Sequence, residues 1–389
     1  MPNRKLDLEK FLDAIPRELL TQYFNKKAQE NGRESLVSSF VTRDVISFLD
    51  SPNDLDIKDD IRQDFIQIND LCERSMGFLI DEVNKRRIAM NEKESQEELG
   101  MRMFLQHKDV FEYAHDRYYF LHSSGKISEH NISADERDVS DDQKRLFNEK
   151  VRGYFAKLAK GGNSIIRYHK RDDRLMIAIV HGSYKRAVSS WENDEMKDTR
   201  TISYRPAKED ILEFVYQEQK LYIKASSGKD REFYISAFTE EIISNKEEAL
   251  RDDRDDTFNL SVLQDQDFRF ELDETIQSVY LLEVRVSMAS VRKPDWVFRS
   301  SDVLASLKEE VRGLRLNNGV IGHARFMFRL NIDGKSKKVT FEITPPNATN
   351  LNKKKYSRII RQYLERIGVK KSAQTIARTM VENAGALVQ

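Results

Sequence analysis

One group of residues has the types and the order of a metal-dependent nuclease site. Asp210 lies in a predicted strand, and Glu218 and Lys220 follow it with the spacing Glu-x-Lys. In that chemistry two carboxylates hold Mg²⁺ while the lysine orients the attacking water. Residues 218–220 fall where a turn between two strands is predicted, so a solvated hairpin tip is the simpler explanation. A metal-dependent nuclease is therefore kept as an alternative function.

Other catalytic signatures are absent from the sequence. It contains no phosphate-binding loop ending in Gly-Lys-Ser/Thr, no dinucleotide-binding glycine fingerprint and no Gly-x-Ser-x-Gly nucleophile elbow. The single cysteine, Cys72, lies on the apolar stripe of a predicted helix, where cysteine behaves as a small apolar side chain. We therefore expect no cofactor and, apart from the nuclease alternative, no catalytic activity and no metal site.

Positive charge is concentrated towards the C-terminal end of the sequence. Residues 287–389 contain 20 Lys and Arg against 8 Asp and Glu, a net charge of +12, so residues 1–286 carry −12 because the whole chain is neutral. Contacts with phosphates are electrostatic and release counterions, so this asymmetry favours nucleic acid as the partner of the basic part. The alternative is that the two oppositely charged regions attract each other within one molecule.

A β-hairpin is predicted in the basic part, with its turn at Asp333-Gly334. Side chains alternate between the two faces of a strand, so Phe326 and Phe328 share one face and Arg325 and Arg329 share the other. This alternation is typical of a hairpin that packs one face on a core. Its basic face remains available to phosphates.

A pair of helices is predicted to follow the hairpin. Apolar residues recur at helical spacing from Tyr356, Gly368 ends this first helix, and Ser372 is the predicted N-cap of a second one. Two short helices around a glycine-containing turn are similar to a helix-turn-helix. The predicted turn is longer than the compact motif allows, and Leu364 stands where a small residue would pack best. A helical hairpin that only packs on its own domain is an equally valid interpretation.

The predicted contacts to nucleic acid are the cations of these units and the polar residues that the second helix would present to a groove. They are Arg325, Arg329, Lys335, Lys337, Lys338, Lys353, Lys354, Lys355, Arg358, Arg361, Lys370, Lys371, Gln374, Thr375 and Arg378. DNA is the favoured nucleic acid.

The helices and strands predicted along the chain indicate the α+β class. Apolar residues at helical spacing predict a helical domain over residues 1–122. Residues 123–142 are acidic and poor in apolar side chains, and we interpret them as a linker. Short β-branched segments at hairpin spacing predict a mainly antiparallel domain over residues 143–286. Residues 287–389 then form a basic module with a β-hairpin and the helical hairpin.

The composition indicates a globular protein of the cytoplasm. Charged residues make up 33% of the chain and hydrophobic residues 39%, and the 10% of aromatic residues argues against disorder. A single cysteine excludes internal disulfides and suits a reducing compartment. No segment approaches the roughly 18 apolar residues that a membrane span needs, so no membrane association is expected.

Together these features predict a non-catalytic nucleic-acid-binding protein. Chains of this composition are expected among the recognition or adaptor subunits of larger prokaryotic assemblies, such as antiviral defence systems. The acidic N-terminal region would be free to bind a partner protein or to mediate self-association. The alternatives are the metal-dependent nuclease and a protein-interaction scaffold that associates through its oppositely charged regions.

Overall fold

The fold is mixed α+β, as the sequence predicts. The computed structural model describes residues 6–37, 39–51, 53–91, 93–134, 138–191, 199–244, 258–288, 294–309 and 316–370. The chain forms two compact units, Met1–Ser123 and Ser124–Gln389, which we call the helical unit and the sheet unit.

The helical unit is built from amphipathic helices. They are α1 (Leu8–Asp13), α2 (Arg17–Glu30), α3 (Thr42–Asp50), α4 (Leu55–Lys85), α5 (Gln96–Gln106) and α6 (Lys108–His122). The longest, α4, has 31 residues and completely buries Ile61, Phe65, Ile68 and Leu79, which is the apolar stripe that the sequence predicts. Pro16 immediately precedes α2, a position where its missing N–H costs no helical hydrogen bond. None of the described helices has the length and apolarity that a membrane crossing requires.

Cys72, on the buried face of α4, provides a probe for folding of the helical unit. The residue is 2% exposed, and burial together with nearby carboxylates raises the pKa of its thiol to about 12. Because the thiolate is the reactive form, we expect iodoacetamide at about pH 8 to leave the native protein unmodified and to alkylate the urea-unfolded chain. Mass spectrometry measures the difference, and full labelling of the native protein would contradict the buried position.

The sheet unit contains one large antiparallel sheet with helices on both sides. The strands of the sheet unit, in chain order, are β1 (Ile127–Asn131), β2 (Ser164–Lys170), β3 (Arg174–Gly182), β4 (Arg186–Trp191), β5 (Thr199–Tyr204), β6 (Ala207–Val215), β7 (Lys220–Lys224), β8 (Ile276–Met288), β9 (Asp295–Arg299), β10 (Gly319–Ile332), β11 (Lys335–Thr344) and β12 (Ala348–Thr349). Its helices are α7 (Asp141–Lys157), α8 (Gly228–Ala237), α9 (Val303–Glu309) and α10 (Ser357–Arg366). The large sheet has ten strands in the order β2-β3-β6-β7-β1-β12-β11-β10-β8-β9, while β4 and β5 form a separate ladder.

Strand β1 joins the two halves of the large sheet. It pairs with β7 on one side, where Ser128 lies opposite Ile223, and with β12 on the other, where Ile127 lies opposite Thr349. The strand lies within residues 123–142, which the sequence analysis interprets as a linker. The partners of β1 are far away along the chain, so no hairpin pattern surrounds it. The acidic composition of residues 123–142 is also more typical of a linker than of a strand. The predicted antiparallel domain and the predicted basic module thus contribute to a single sheet.

The two halves of the sheet bury opposite faces. In β6 and β7 the face of Phe214 and Ile223 packs against α7 and α8. Cross-strand partners share a face, so Ser128 of β1, Ala348 of β12 and Thr344 of β11 lie on the same side of the sheet as Ile223. In β8, β10 and β11 the core lies on the other face instead, with apolar side chains packed against α10. We call the face of β8–β11 that lies opposite this core the open face.

Candidate nucleic-acid interface

The hairpin of β10 and β11 has the geometry that the sequence predicts. Its turn residues Asp333 and Gly334 both have positive φ, 50° and 72°, as the tight type I′ hairpin turn requires. Phe326 and Phe328 are 0% exposed, while Arg325 and Arg329 are exposed on the open face. The alternation therefore separates an aromatic core side from a basic surface.

Four cations of the open face lie on three neighbouring strands. Arg325 and Arg329 belong to β10, Lys338 lies directly opposite Arg329 on β11, and Arg285 belongs to β8. All four side chains are exposed. None of them forms a hydrogen bond or an ion pair with a residue that the structure describes. Arg325 nevertheless lies directly opposite Glu342 on β11 and Glu283 on β8, so its charge is partly balanced, whereas the register places no carboxylate opposite Arg329 in either ladder.

Two carboxylates of the open face, in contrast, have cationic partners. Glu283 accepts a hydrogen bond of 3.0 Å from Nε of Arg299, and this contact is the main reason why its pKa lies below the ordinary value. Glu342 lies 3.8 Å from the Lys126 ammonium group. Since these carboxylates are already paired, they oppose an anionic ligand less than free carboxylates would.

A shallow depression lies at the β9 side of the open face. It has a volume of about 570 Å³ and is lined by Leu282, Glu283, Arg299, Ser300 and Arg325. The β10–β8 register shifts at this place, between Arg325 and Phe326. Such a bulge places an extra residue on one strand and interrupts the regular alternation. The wide, open shape suits an extended ligand better than an enclosed small molecule.

Several other predicted contact residues are paired with acids of the protein itself. The Arg361 guanidinium donates two hydrogen bonds, of 2.7 and 2.6 Å, to the Glu129 carboxylate, which is 1% exposed. Lys370 is ion-paired with Glu365 and is itself buried. For Arg361 the partner belongs to the acidic region, as the alternative of pairing within one molecule predicts, whereas Lys370 is paired inside the basic region itself.

Lys353 is half-buried, and its ammonium group donates to the Gly125 carbonyl at 2.6 Å. Burial, and then the neighbouring charge of Lys354, lower its pKa. Burial and Lys353 in turn lower the pKa of Lys224 to about 7. At neutral pH this lysine pair therefore carries less positive charge than the sequence suggests.

The remaining predicted cations lie at two other places. Lys335 and Lys337 are exposed at the tip of the hairpin. Lys355 and Arg358 are exposed at the start of α10, and α10 packs on the covered side of β10 and β11. The structure thus divides the predicted contact set between the open face and surfaces elsewhere.

Part of the predicted helix pair lies outside the described residues. The first helix is present as α10, and Gly368 follows it with a φ of 74°, which confirms the predicted helix end. The second helix would begin at Ser372, beyond the last described residue. The predicted contact residues beyond the described part are Lys371 of the turn and Gln374, Thr375 and Arg378 of the second helix.

Aromatic side chains contribute little to the described open face. Phe326, Phe328 and Phe341, which could have stacked on bases, are fully buried in the core. Tyr280 of β8 is half-buried on the open face, beside Met327 of β10. Stacking platforms for bases present several exposed aromatic rings. The open face is therefore suited to the phosphate backbone more than to the bases.

The residues of the nuclease alternative are not brought together. Asp210 is buried on the β6 face that packs against α7 and α8, where the His181 ring Nε2 and the Tyr234 hydroxyl each lie 3.0 Å from its carboxylate. Lys220 lies on the opposite face of β7, with its Nζ 3.8 Å from Glu129. Glu218 lies in the β6–β7 turn, as predicted. Since Asp210 and Lys220 point to opposite faces, these residues do not surround a common cation position.

The positions of some open-face residues could not be predicted from sequence patterns. Arg285 lies on β8 beyond the bulge, so its face cannot be counted from the start of the strand. Lys126 and His323 approach each other from segments far apart in the chain. Only the alternation within β10 and β11 could have been found locally. Neither a protein-family model nor a curated protein sequence matches this chain.

Proposed function

We propose that this chain binds nucleic acid through the open face and has no catalytic role. The observation that supports the proposal is the group formed by Arg285, Arg325, Arg329 and Lys338, which are exposed and form no hydrogen bond or ion pair with a described residue. Neighbouring strands are about 4.8 Å apart, and residues four positions apart on one strand are separated by about 13 Å. The cations therefore span an area on which several successive phosphates can lie.

The chemistry of this group favours phosphates. A guanidinium group donates parallel hydrogen bonds to two oxygens of one phosphate, and it does not lose its charge near neutral pH. The open face contributes three such groups, together with the ammonium group of Lys338. These contacts fix the position of the polymer and do not read base identity.

The choice between DNA and RNA depends on groups other than the phosphates. DNA remains the prediction because of the helix-turn-helix-like pattern, whose second helix lies beyond the described residues. A recognition or adaptor role in a prokaryotic defence assembly, and a cytoplasmic location, are likewise predictions from composition. The acidic N-terminal region is the proposed surface for a protein partner or for self-association.

The proposal is tested by the salt dependence of binding to a fluorescent oligonucleotide. If four phosphates are neutralised, the logarithm of the association constant should fall with the logarithm of the salt concentration, with a slope of about −3.6 for duplex DNA and about −2.8 for a single strand. Fluorescence anisotropy at several salt concentrations measures this slope for single-stranded and duplex DNA and for RNA. Absence of binding even at low salt would contradict the proposal.

The scaffold alternative gives a different result in the same preparation. It predicts an oligomer whose size changes with salt and no retention of oligonucleotide. Light scattering at the salt concentrations of the binding series separates the two functions.

A further inference from the structure

An imidazole and an ammonium group lie in contact at the inner end of the open face. Nζ of Lys126 is 3.3 Å from Nδ1 of His323, and both groups are within hydrogen-bond distance of the Thr344 hydroxyl. The side chain of His323 is 13% exposed and that of Lys126 is 29% exposed. The pair is thus recessed but reaches the surface.

The contact determines the protonation state of His323. An ammonium group only donates hydrogen bonds, so Nδ1 of His323 must accept, and the ring proton then lies on Nε2. Nε2 is 4.0 Å from the Glu283 carboxylate, which already accepts a hydrogen bond from Arg299. In the free protein, the contact with Lys126 therefore favours the neutral imidazole.

Charged groups from every neighbouring element face this pair. They are Lys126 before β1, Glu283 and Arg285 on β8, Arg325 on β10, Glu342 on β11, and Arg231 on α8. Burial, and then the charge of Lys126, lower the pKa of His323 below its ordinary value. Burial also lowers the pKa of Lys126, and the carboxylate of Glu342 partly opposes this effect.

His323 is also placed next to the cations proposed to bind phosphate. Arg285 is its direct cross-strand partner, and Arg325 follows two positions later on the same face of β10. A phosphate bound by these two arginines lies beside the imidazole. Its negative charge stabilises an imidazolium and gives the Lys126 ammonium group a second acceptor.

We infer that the open face takes up one proton at His323 when it binds a polyanion. The inference rests on the proposed function, whose site it deepens. The proton comes from solvent and is transferred to Nδ1, and no covalent bond of the ligand changes. Acidic conditions thereby strengthen binding and alkaline conditions weaken it.

The direction of the effect follows from linkage. The pKa of His323 is low in the free protein and higher in the complex, so affinity rises as pH falls between these two values. Below the lower value both states are protonated and the affinity becomes constant. Each unit by which the ligand raises the pKa corresponds to about a tenfold gain in affinity.

The test uses the full chain and an oligothymidylate without terminal phosphates, a ligand that does not itself titrate between about pH 5.5 and about pH 8. At constant ionic strength, the wild-type affinity should rise by about tenfold across this range. His323→Asn keeps an oxygen acceptor near Lys126 but cannot titrate, and its affinity should change with pH much less than that of the wild type, by no more than the few-fold effect of distant groups such as Lys224. His122→Asn, which removes an exposed imidazole in the helical unit, should behave as the wild type.

A second measurement requires no variant. Calorimetry of the wild-type complex in two buffers with different ionisation enthalpies gives the number of protons taken up, which should lie between zero and one near neutral pH. Circular dichroism confirms that each protein is folded at each pH. Binding of equal strength at every pH, no proton uptake, or an unchanged pH profile in His323→Asn would overturn the inference and leave the proposed function intact. Absence of binding at every pH would instead contradict the proposed function.

Discussion

Replacement of Arg325, Arg329 and Lys338 by glutamate is expected to lower the affinity for an oligonucleotide by about two orders of magnitude or more at low salt. Hydrogen bonds to charged groups contribute about 1.5–3 kcal/mol each, and three are removed together while three repulsive charges are introduced. The slope of affinity against salt should also decrease by about 2–3, because each lost phosphate contact contributes about one unit or slightly less. Fluorescence anisotropy at several salt concentrations measures both quantities.

The exposed positions of these side chains make the variant a fair test. None of the three supports the core, but a carboxylate at position 325 would lie opposite Glu283 and Glu342, so a loss of stability of about 1 kcal/mol is expected, and circular dichroism should still match the wild type. Loss of binding can then be attributed to the surface itself.

A matched control comes from the other side of the sheet. Lys354, Lys355 and Arg358 lie at the start of α10, and their replacement by glutamate changes the net charge by the same amount. We expect the affinity of this control to change only a few-fold, through the long-range field of the protein. If the control loses binding and the open-face variant retains it, the interface lies at α10 and the open-face proposal is wrong. Equal losses in both variants would show that overall charge, and not a defined surface, governs binding.

Replacement of Arg361 by methionine is expected to destabilise the sheet unit by about 3–5 kcal/mol. The change leaves Glu129, at 1% exposure, without the guanidinium that donates both of its short hydrogen bonds. The carboxylate then keeps only Lys220, whose Nζ lies 3.8 Å away, and must either remain charged with this weaker compensation or take up a proton. Urea denaturation followed by circular dichroism measures the loss, and alkylation of Cys72 reports separately on the helical unit.

Two further variants separate the ion pair from general effects on α10. Arg358→Met removes an exposed arginine three positions earlier, and we expect a change within about 0.5 kcal/mol. The double variant Glu129→Leu with Arg361→Met removes both charges of the pair and leaves Lys220, whose pKa burial already lowers, as the remaining cation. It should be more stable than Arg361→Met alone. A double variant that is less stable than Arg361→Met would contradict this account of the pair.

The same pair predicts how stability depends on pH. Burial raises the pKa of Glu129, but Arg361 and Lys220 outweigh this effect, and the net pKa lies below the ordinary value. A carboxyl group with a depressed folded pKa stabilises the protein above its unfolded pKa of about 4.3, and this contribution is lost as pH falls through the folded value. Wild-type stability should therefore decrease on acidification, and the double variant should lose this part of the decrease.

The features that the sequence predicts correctly are local ones. The stripe of α4 and the alternation of β10 depend on neighbours within a few residues, and the turn at Asp333-Gly334 depends on two. The features that it misses depend on distant partners. Arg361 looks like a surface cation in its helix, because its partner Glu129 lies 232 residues away. Composition cannot distinguish such a cation from Arg325, which is exposed on the open face.

Strand β1 determines when the sheet unit can be completed during synthesis. Its first edge can pair with β7 once residue 224 has been made, whereas the second edge must wait for β12 at residues 348–349. Unpaired edges of this kind recruit other chains, and pairings across long sequence separations form slowly. Most of the polypeptide therefore leaves the ribosome before β1 is covered on both sides, and the arginine that neutralises its buried glutamate emerges later still.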